Sequence, residues 1–343
     1  VVQWLDQTLQ ADVYISPPTI TANRVIGTLP PEIVAEVRAW PGIDTVVTST
    51  GSDVFLPQID RKVRLVAVDG DVSRGNRPYA WVRDQVADPW IQLANGDGII
   101  ISEALLLKEN LPIPPPPLMM ETTEGEHSFP VLAVFYDYAS DQGTIFIDND
   151  LYVELWQDPN IASMGLFLEP GTSPEATVNQ LREHFQGRQD LLIQSNRSLR
   201  QGSLEIFDRT FAITAALRLL AIIVAFIGVL SALLSLQLER TRELGVLRAT
   251  GMTIRQLWGL TLLETSLMGA TAGFLALPVG FVLAWILIYV INVRSFGWTL
   301  QMQLDPANFL QAFAVAVLAA VLAGIYPSFR LGKMTVSTAI REE

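Results

Sequence analysis

Leu219-Leu-Ala-Ile-Ile-Val-Ala-Phe-Ile-Gly-Val-Leu-Ser-Ala-Leu-Leu-Ser-Leu-Gln-Leu238 is a run of 20 residues without a charge. A helix rising 1.5 Å per residue covers a hydrocarbon core of roughly 30 Å with about 20 residues, so this run is long enough to cross a membrane. Two more uncharged runs follow, Thr265 to Val293 (29 residues) and Pro306 to Phe329 (24 residues). Buried helices of soluble proteins are rarely this long, and three adjacent ones are rarer, so the pattern predicts three transmembrane helices.

Outward from these runs the composition splits. The chain has 343 residues, of which 50% are hydrophobic and 17% charged, with a net charge of −12 and no cysteine. A soluble domain carries about a quarter of its residues charged, which argues against an ordinary soluble enzyme. Residues 1–209 hold 29 acidic against 14 basic residues, a net of −15, while residues 210–343 hold 6 against 9, a net of +3. The first part reads as water-soluble and acidic, the second as apolar and mildly cationic.

Basic residues in the short segments set the expected orientation. Arg240, Arg242, Arg248 and Arg255 lie between the first two runs, and Arg330, Lys333 and Arg341 follow the third. The loop between the second and third runs has only Arg294. This asymmetry puts the first loop and the C-terminus in the cytoplasm and residues 1–209 outside it. The long first part translocates regardless of Arg197, Arg200 and Arg209. Neither an export signal nor an upstream membrane helix is found in the sequence, which begins at Val1, so a longer parent protein is expected. Val2, Leu5 and Leu9, beside Trp4, share a helical spacing and read as a stalk leading from such a helix.

The outer part reads as an α+β domain in two lobes. Strand 11–16, helix 30–40 and strand 43–50 form one unit, and strand 164–168, helix 174–185 and strand 190–194 form a second. Short strands at 54–56, 63–68, 99–101, 129–136 and 144–148 lie between them. Pro112 to Pro117 carries five prolines in six residues and reads as a stiff surface connector.

Catalytic signals are weak. His127 and His184 are the only histidines and sit in unrelated contexts, so no zinc set is expected. Asp148 and Asp150 form the closest acidic pair after a strand and read as a solvated turn. The only Gly-Lys pair, Gly332-Lys333, lacks the earlier glycine and the following Ser or Thr of a phosphate-binding loop. No catalytic residue, cofactor or metal is assigned to this chain, and any ATP-driven work must come from a partner.

Glu239-Arg-Thr-Arg-Glu-Leu-Gly-Val-Leu-Arg-Ala-Thr-Gly251 reads as a short helix with Leu244 and Leu247 on one side, stopped by Gly251. Thr253 with Gln256 then opens a new helix through a capping box. The periodicity alone fits equally a positive loop at the headgroups and a helix docked in a groove of a cytoplasmic partner. Glu264 is the one acid between this segment and the second apolar run. It reads as a paired acid facing the bundle, with a proton relay as the other reading. Gly269, Gly273, Ala276, Gly280 and Ala284 make a small-residue stripe on the second run, and Ala316, Ala320 and Gly324 make one on the third. Pro278 is expected to kink the second helix.

Arg240 to Gly251 ("RTRELGVLRATG"), Glu264 with its following glycines, and Tyr326 to Glu343 ("YPSFRLGKMTVSTAIREE") resemble the C-terminal module of the FtsX-like permease family, including MacB-type transporters. The resemblance implies an extracytoplasmic MacB-like α+β domain over 1–199 and an FtsX-like permease module over 200–343. Within the module it implies a stalk and membrane helix (200–238), a coupling helix (239–251), membrane helices near 254–291 and 308–330, and a cytoplasmic tail (331–343). It implies coupling through Arg242, Glu243, Leu244, Leu247, Arg248 and Gly251 to a separate cytoplasmic ABC ATPase subunit. Membrane lipid, an upstream permease half or second permease copy, and an extracytoplasmic accessory protein are the other implied partners; nucleic acid is not. The implied work is ATP-driven movement of the outer domain on a lipoprotein, peptide or lipid-like substrate in the plasma membrane. An FtsX-like scaffold that activates a cell-wall hydrolase is the alternative.

Overall fold

The computed structural model describes residues 2–333 except 19, 22, 23, 26, 72, 73, 76, 139, 141, 240, 298, 300, 301 and 303. Residues 1–207 with 289–300 form one compact unit, and residues 208–288 with 301–343 form the other.

The first unit begins with α1 (Val2–Thr8) and β1 (Val13–Ser16), followed by the small ribbon β2 (Ile20–Thr21) and β3 (Arg24–Val25). Then come α2 (Pro31–Arg38), β4 (Ile43–Leu56), β5 (Arg61–Asp69), β6 (Tyr79–Val82), α3 (Pro89–Ala94), β7 (Ile99–Ser102) and α4 (Glu103–Lys108). A hairpin of β8 (Leu118–Thr122) and β9 (Gly125–Phe129) precedes β10 (Val131–Phe135), β11 (Thr144–Asp148) and α5 (Asn149–Trp156). β12 (Ser163–Leu168), α6 (Pro174–Phe185) and β13 (Leu192–Ser195) lead into α7 (Asn196–Glu239), whose residues fall in both units.

Nine strands form one sheet in the order β13-β1-β12-β4-β5-β11-β7-β10-β6. Its two lobes share β4. The first half of that strand pairs with β12 from Ile43 to Ser49, and its second half pairs with β5 from Thr48 to Leu56. The sequence reading places separate strands at 43–50 and 54–56. Instead the strand continues, and Gly51 leaves room for the Arg64 guanidinium, which a Cβ there would strike.

Alternation along the strands assigns the cores. In the first lobe Val13, Ile15, Met164 and Leu166 face Val34 and Val37 of α2 and Val178, Leu181 and Phe185 of α6. In the second lobe Ile99 and Ile101 face Leu105 of α4 and Tyr152 of α5, while Ile100 faces Trp90 and Leu93 of α3. β7 is therefore buried on both sides. The expected strand 129–136 is two strands in different sheets, divided at Pro130, which has no N–H to give a ladder. Asp148 is not a mere solvated turn: its Oδ2 accepts from the backbone N–H groups of Asp150 (2.9 Å) and Leu151 (3.2 Å), capping α5. Partial burial pushes its carboxyl above the usual aspartate range, against the pull of those donors.

The second unit contains part of α7, then α8 (Thr241–Ala249), α9 (Ile254–Ile286) and α11 (Pro306–Lys333). A π-helical turn, Leu287–Asn292, and α10 (Val293–Phe296) connect α9 onward. Among the described residues one helical stretch, Ile254–Ser295, is long and apolar enough to cross a membrane, and Ala215–Gly228 and Pro306–Leu322 are shorter apolar helices. Of the three expected membrane helices, one therefore meets the length and composition for a crossing among the described residues, and the other two apolar runs fall short of it.

Candidate coupling segment and helix interface

α8 ends as its sequence dictates. Gly251 has φ +108°, its N–H donates to Arg248 O (3.2 Å), and the N–H of Met252 donates to Leu247 O (3.0 Å). These two bonds are the Schellman pair, which satisfies carbonyls that a helix end would otherwise leave open. Two residues on, Thr253 and Gln256 exchange the bonds of a capping box: Thr253 N–H to Gln256 Oε1 (2.9 Å) and Gln256 N–H to Thr253 Oγ1 (3.4 Å). Residues 249–253 are thereby a fixed corner between two helices.

Of the expected coupling residues, Glu243 and Leu247 are exposed on α8, Arg248 is half-buried, and Gly251 makes the turn. Val246, not among the expected residues, is 51% exposed one position before Leu247 at 39%, an apolar pair on a helix flanked by charges. The side chains of Arg242 and Leu244, like Arg240 and the tail from Met334 to Glu343, lie outside the described residues.

α9 and α11 pack antiparallel through small residues. A Cβ at Gly269 would strike that of Ala320, one at Gly273 would lie 3.2 Å from Ala316 Cβ, and one at Gly324 would lie 2.5 Å from Thr265 Oγ1. The contacts recur every four residues on both helices, so the backbones approach along a continuous seam. Thr261 and Thr265 are buried in it, and Thr265 Oγ1 donates to Leu262 O (3.1 Å), satisfying its hydroxyl within the helix. The remaining stripe residues lie off the seam: Ala276 and Gly280 are exposed, with nothing within 4 Å of a Cβ at Gly280, and Ala284 is half-buried. Glu264 is half-buried on α9, one position before Thr265.

The histidines are structural. His184 meets the Glu36 carboxylate, which also accepts from Arg188 Nη2 (3.0 Å), and packs edge-on against Trp40, tying α6 to α2. His127 Nδ1 lies 3.1 Å from Thr122 Oγ1 across the β8–β9 hairpin. Among the described residues no group of three or more His, Asp or Glu could hold a metal. A cavity of about 340 Å³ lies at the root of α7, lined by residues including Asp12, Glu175, Arg197 and Arg200, with Arg200 paired to Asp6.

Two charged residues escaped the sequence reading. Arg77 is buried among the rings of Trp90, Phe135 and Phe146, each within 5.4 Å of its guanidinium carbon. Burial pulls its pKa down, and Asp71 and Asp137 oppose that. Glu103 is buried in the first turn of α4, where its carboxylate accepts from Thr299. No local pattern marks either residue, because both partnerships are made at long range.

Comparison with known proteins shows what the chain is similar to. Over all of its length the chain is 52% identical to an uncharacterized ABC transporter permease protein of Mycobacterium tuberculosis, and it spans 40% of that relative. It is 26% identical over 172 residues to the pyoverdine export ATP-binding/permease protein PvdT of Pseudomonas fluorescens, covering 50% of this chain and 25% of that one. It is 25% identical over 174 residues to the macrolide export ATP-binding/permease protein MacB of Shewanella sp., covering 51% and 26%. The periplasmic region of MacB from Actinobacillus actinomycetemcomitans aligns with 57% of this chain and 94% of its own length, at a TM-score of 0.40 and 13% identity. The segment holding α8, its fixed corner and the α9–α11 seam is the one that carries a family signature: residues 215–336 match the FtsX-like permease C-terminal family.

Proposed function

We propose that the chain is part of an ABC transporter permease in which α8 receives the stroke of a cytoplasmic ATPase. The observation that carries this reading is the construction of residues 241–256. A short helix with exposed Val246 and Leu247 ends in a Schellman turn and is joined to the apolar α9 by a capping box. A load on α8 passes through that corner without being lost in a flexible linker. The relative at 52% identity is named a permease alone, whereas the names of PvdT and MacB join ATP-binding and permease in one protein. This favours an ATPase on a separate chain for the present protein.

In this reading α7, α9 and α11 cross the plasma membrane, residues 1–209 lie outside it, and the C-terminus lies in the cytoplasm, which the arginine asymmetry supports. α7 carries motion to the outer unit because it is one helix from Asn196 to Glu239. Its root is pinned: Asn196 Nδ2 donates to Leu9 O (2.9 Å) and Ala11 O (2.7 Å), and its N–H donates to Asp12 O (2.8 Å). The substrate class is extracytoplasmic, a lipoprotein, peptide or lipid-like molecule acted on by the outer unit. The helices carry few charges to line a solute path.

Copurification tests the reading. Leu247→Asp and Arg248→Glu each abolish recovery of the ATPase with the permease while membrane insertion is retained; undiminished recovery overturns it. Since the chain has no cysteine, an Asn160→Cys variant offers this chain a single label. It reacts with an impermeant maleimide from outside intact cells, and protection there overturns the topology.

A further inference from the structure

The segment 289–300 follows α9 and precedes α11 in sequence, yet it belongs to the compact unit of residues 1–207. It is held on α4 at two points. The N–H of Thr299 donates to Glu103 Oε2 (3.0 Å) and its hydroxyl donates to Glu103 Oε1, so both carboxylate oxygens are used. Five residues along α4, Lys108 lies over Gly297, where a Cβ would come within 2.7 Å of Lys108 Cγ. Gly297 has φ +77° and caps α10, so both its backbone and its missing side chain are required there.

Glu103 is rigidly mounted. It is 7% exposed, and Ser102 before it ends β7 while its Oγ accepts from Leu105 N–H (3.4 Å) and from Thr144 N–H of β11 (2.9 Å). Gly143 admits Leu105, since a Cβ there would fall 2.8 Å from Leu105 Cβ. Burial holds the Glu103 carboxyl above the usual glutamate range, and the two Thr299 bonds oppose that shift. A buried carboxylate whose compensating donors come from one distant residue ties the two segments together, because losing the donors leaves it unpaired.

α7, by contrast, leaves the sheet from β13, at the opposite lobe. The geometry points to a two-handled outer domain. α7 moves the β13-β1-β12 lobe, and the loop between α9 and α11, latched by Thr299 onto the positioning residue Glu103, moves the β11-β7-β10 lobe separately. A stroke that displaces α9 and α11 relative to α7 would then open or close the lobes about the shared strand β4. This inference rests on the permease reading above.

Amide hydrogen exchange on the full-length permease with its ATPase in lipid nanodiscs, with and without trapped ATP, tests it. In the wild type, trapping changes exchange at both β13–α7 and α4–β7. In Glu103→Leu, which removes both acceptors and leaves the Thr299 N–H and hydroxyl without them, exchange at Thr299 rises about tenfold and the α4–β7 response disappears while the β13–α7 response persists. Thr299→Ser keeps the response, and Thr299→Val weakens it. A response at α4–β7 in Glu103→Leu equal to wild type overturns the latch and leaves the permease reading standing. No response anywhere in the wild type overturns both. If Glu103→Leu loses protection throughout the sheet, a Glu103→Cys/Thr299→Cys pair decides. Restoration of the α4–β7 response on oxidation and its loss on reduction support the latch, and failure to restore it overturns the latch.

Discussion

The outer unit and the α9–α11 pair solve the packing problem in opposite ways. In the outer unit the large side chains are inside, Ile15, Leu65, Ile99 and Phe185 at 1% exposure or less. In the helix pair Leu275, Phe274 and Leu283 are more than 60% exposed, and among the described residues the buried positions are mostly small, including Gly269, Gly273, Thr265 and Ala320, with Leu257 the large exception. Water drives large apolar groups inward, whereas a hydrocarbon surround gives them no reason to leave, so close backbone approach becomes what a helix interface can gain. The same leucine therefore means different things in the two regions.

Making one substitution in both regions sharpens that contrast most. Leu65→Ala lowers outer-unit stability by about 2–5 kcal/mol in denaturant titration, whereas Leu275→Ala leaves expression and thermal stability in bilayers near wild type. A comparable loss at Leu275 would break the comparison. The reverse substitution is next in size. Gly269→Leu forces α9 from α11 and costs about 1–3 kcal/mol in the second unit, read as loss of the folded protein in detergent, while Gly280→Leu, where a Cβ meets nothing within 4 Å, is tolerated. Removing a cap is smaller still: Asp148→Ala costs about 1 kcal/mol of outer-unit stability.

The smallest effect is electrostatic. The Arg188 and His184 bonds hold the Glu36 carboxyl below its ordinary value of 4.5. A depressed carboxylate adds stability above its unfolded pKa, and that contribution is lost as pH falls through the folded one. Glu36→Gln therefore melts earlier than wild type at neutral pH, and the gap closes as the medium becomes more acidic than pH 4.5; a gap independent of pH would remove Glu36 from the acid response.

What was legible in the sequence was local. The stop at Gly251 and the box of Thr253 with Gln256 need only bonds within five residues, and both are found. The period-four small residues at 269, 273, 316, 320 and 324 identified the seam, because a backbone contact requires small side chains on both partners. The continuation of the stripe through Ala276 and Gly280 shows the limit of that signal, since composition marks where close approach is allowed, not where a partner lies. α3, α4 and α5, of six to eight residues each, were missed because one or two turns are too short for periodicity to emerge. They exist because Asp88, Ser102 and Asp148 cap them and the sheet buries one side.

By itself the sequence determined the split between an acidic part and an apolar part, and the helix ends around residue 251. Each follows from composition or from bonds a few residues long. Only the tertiary structure decided that β4 would serve both lobes and that Thr299 would reach a carboxylate 196 positions earlier. Such pairings are paid for by burial of the whole sheet and leave no mark on their own neighbours in the chain.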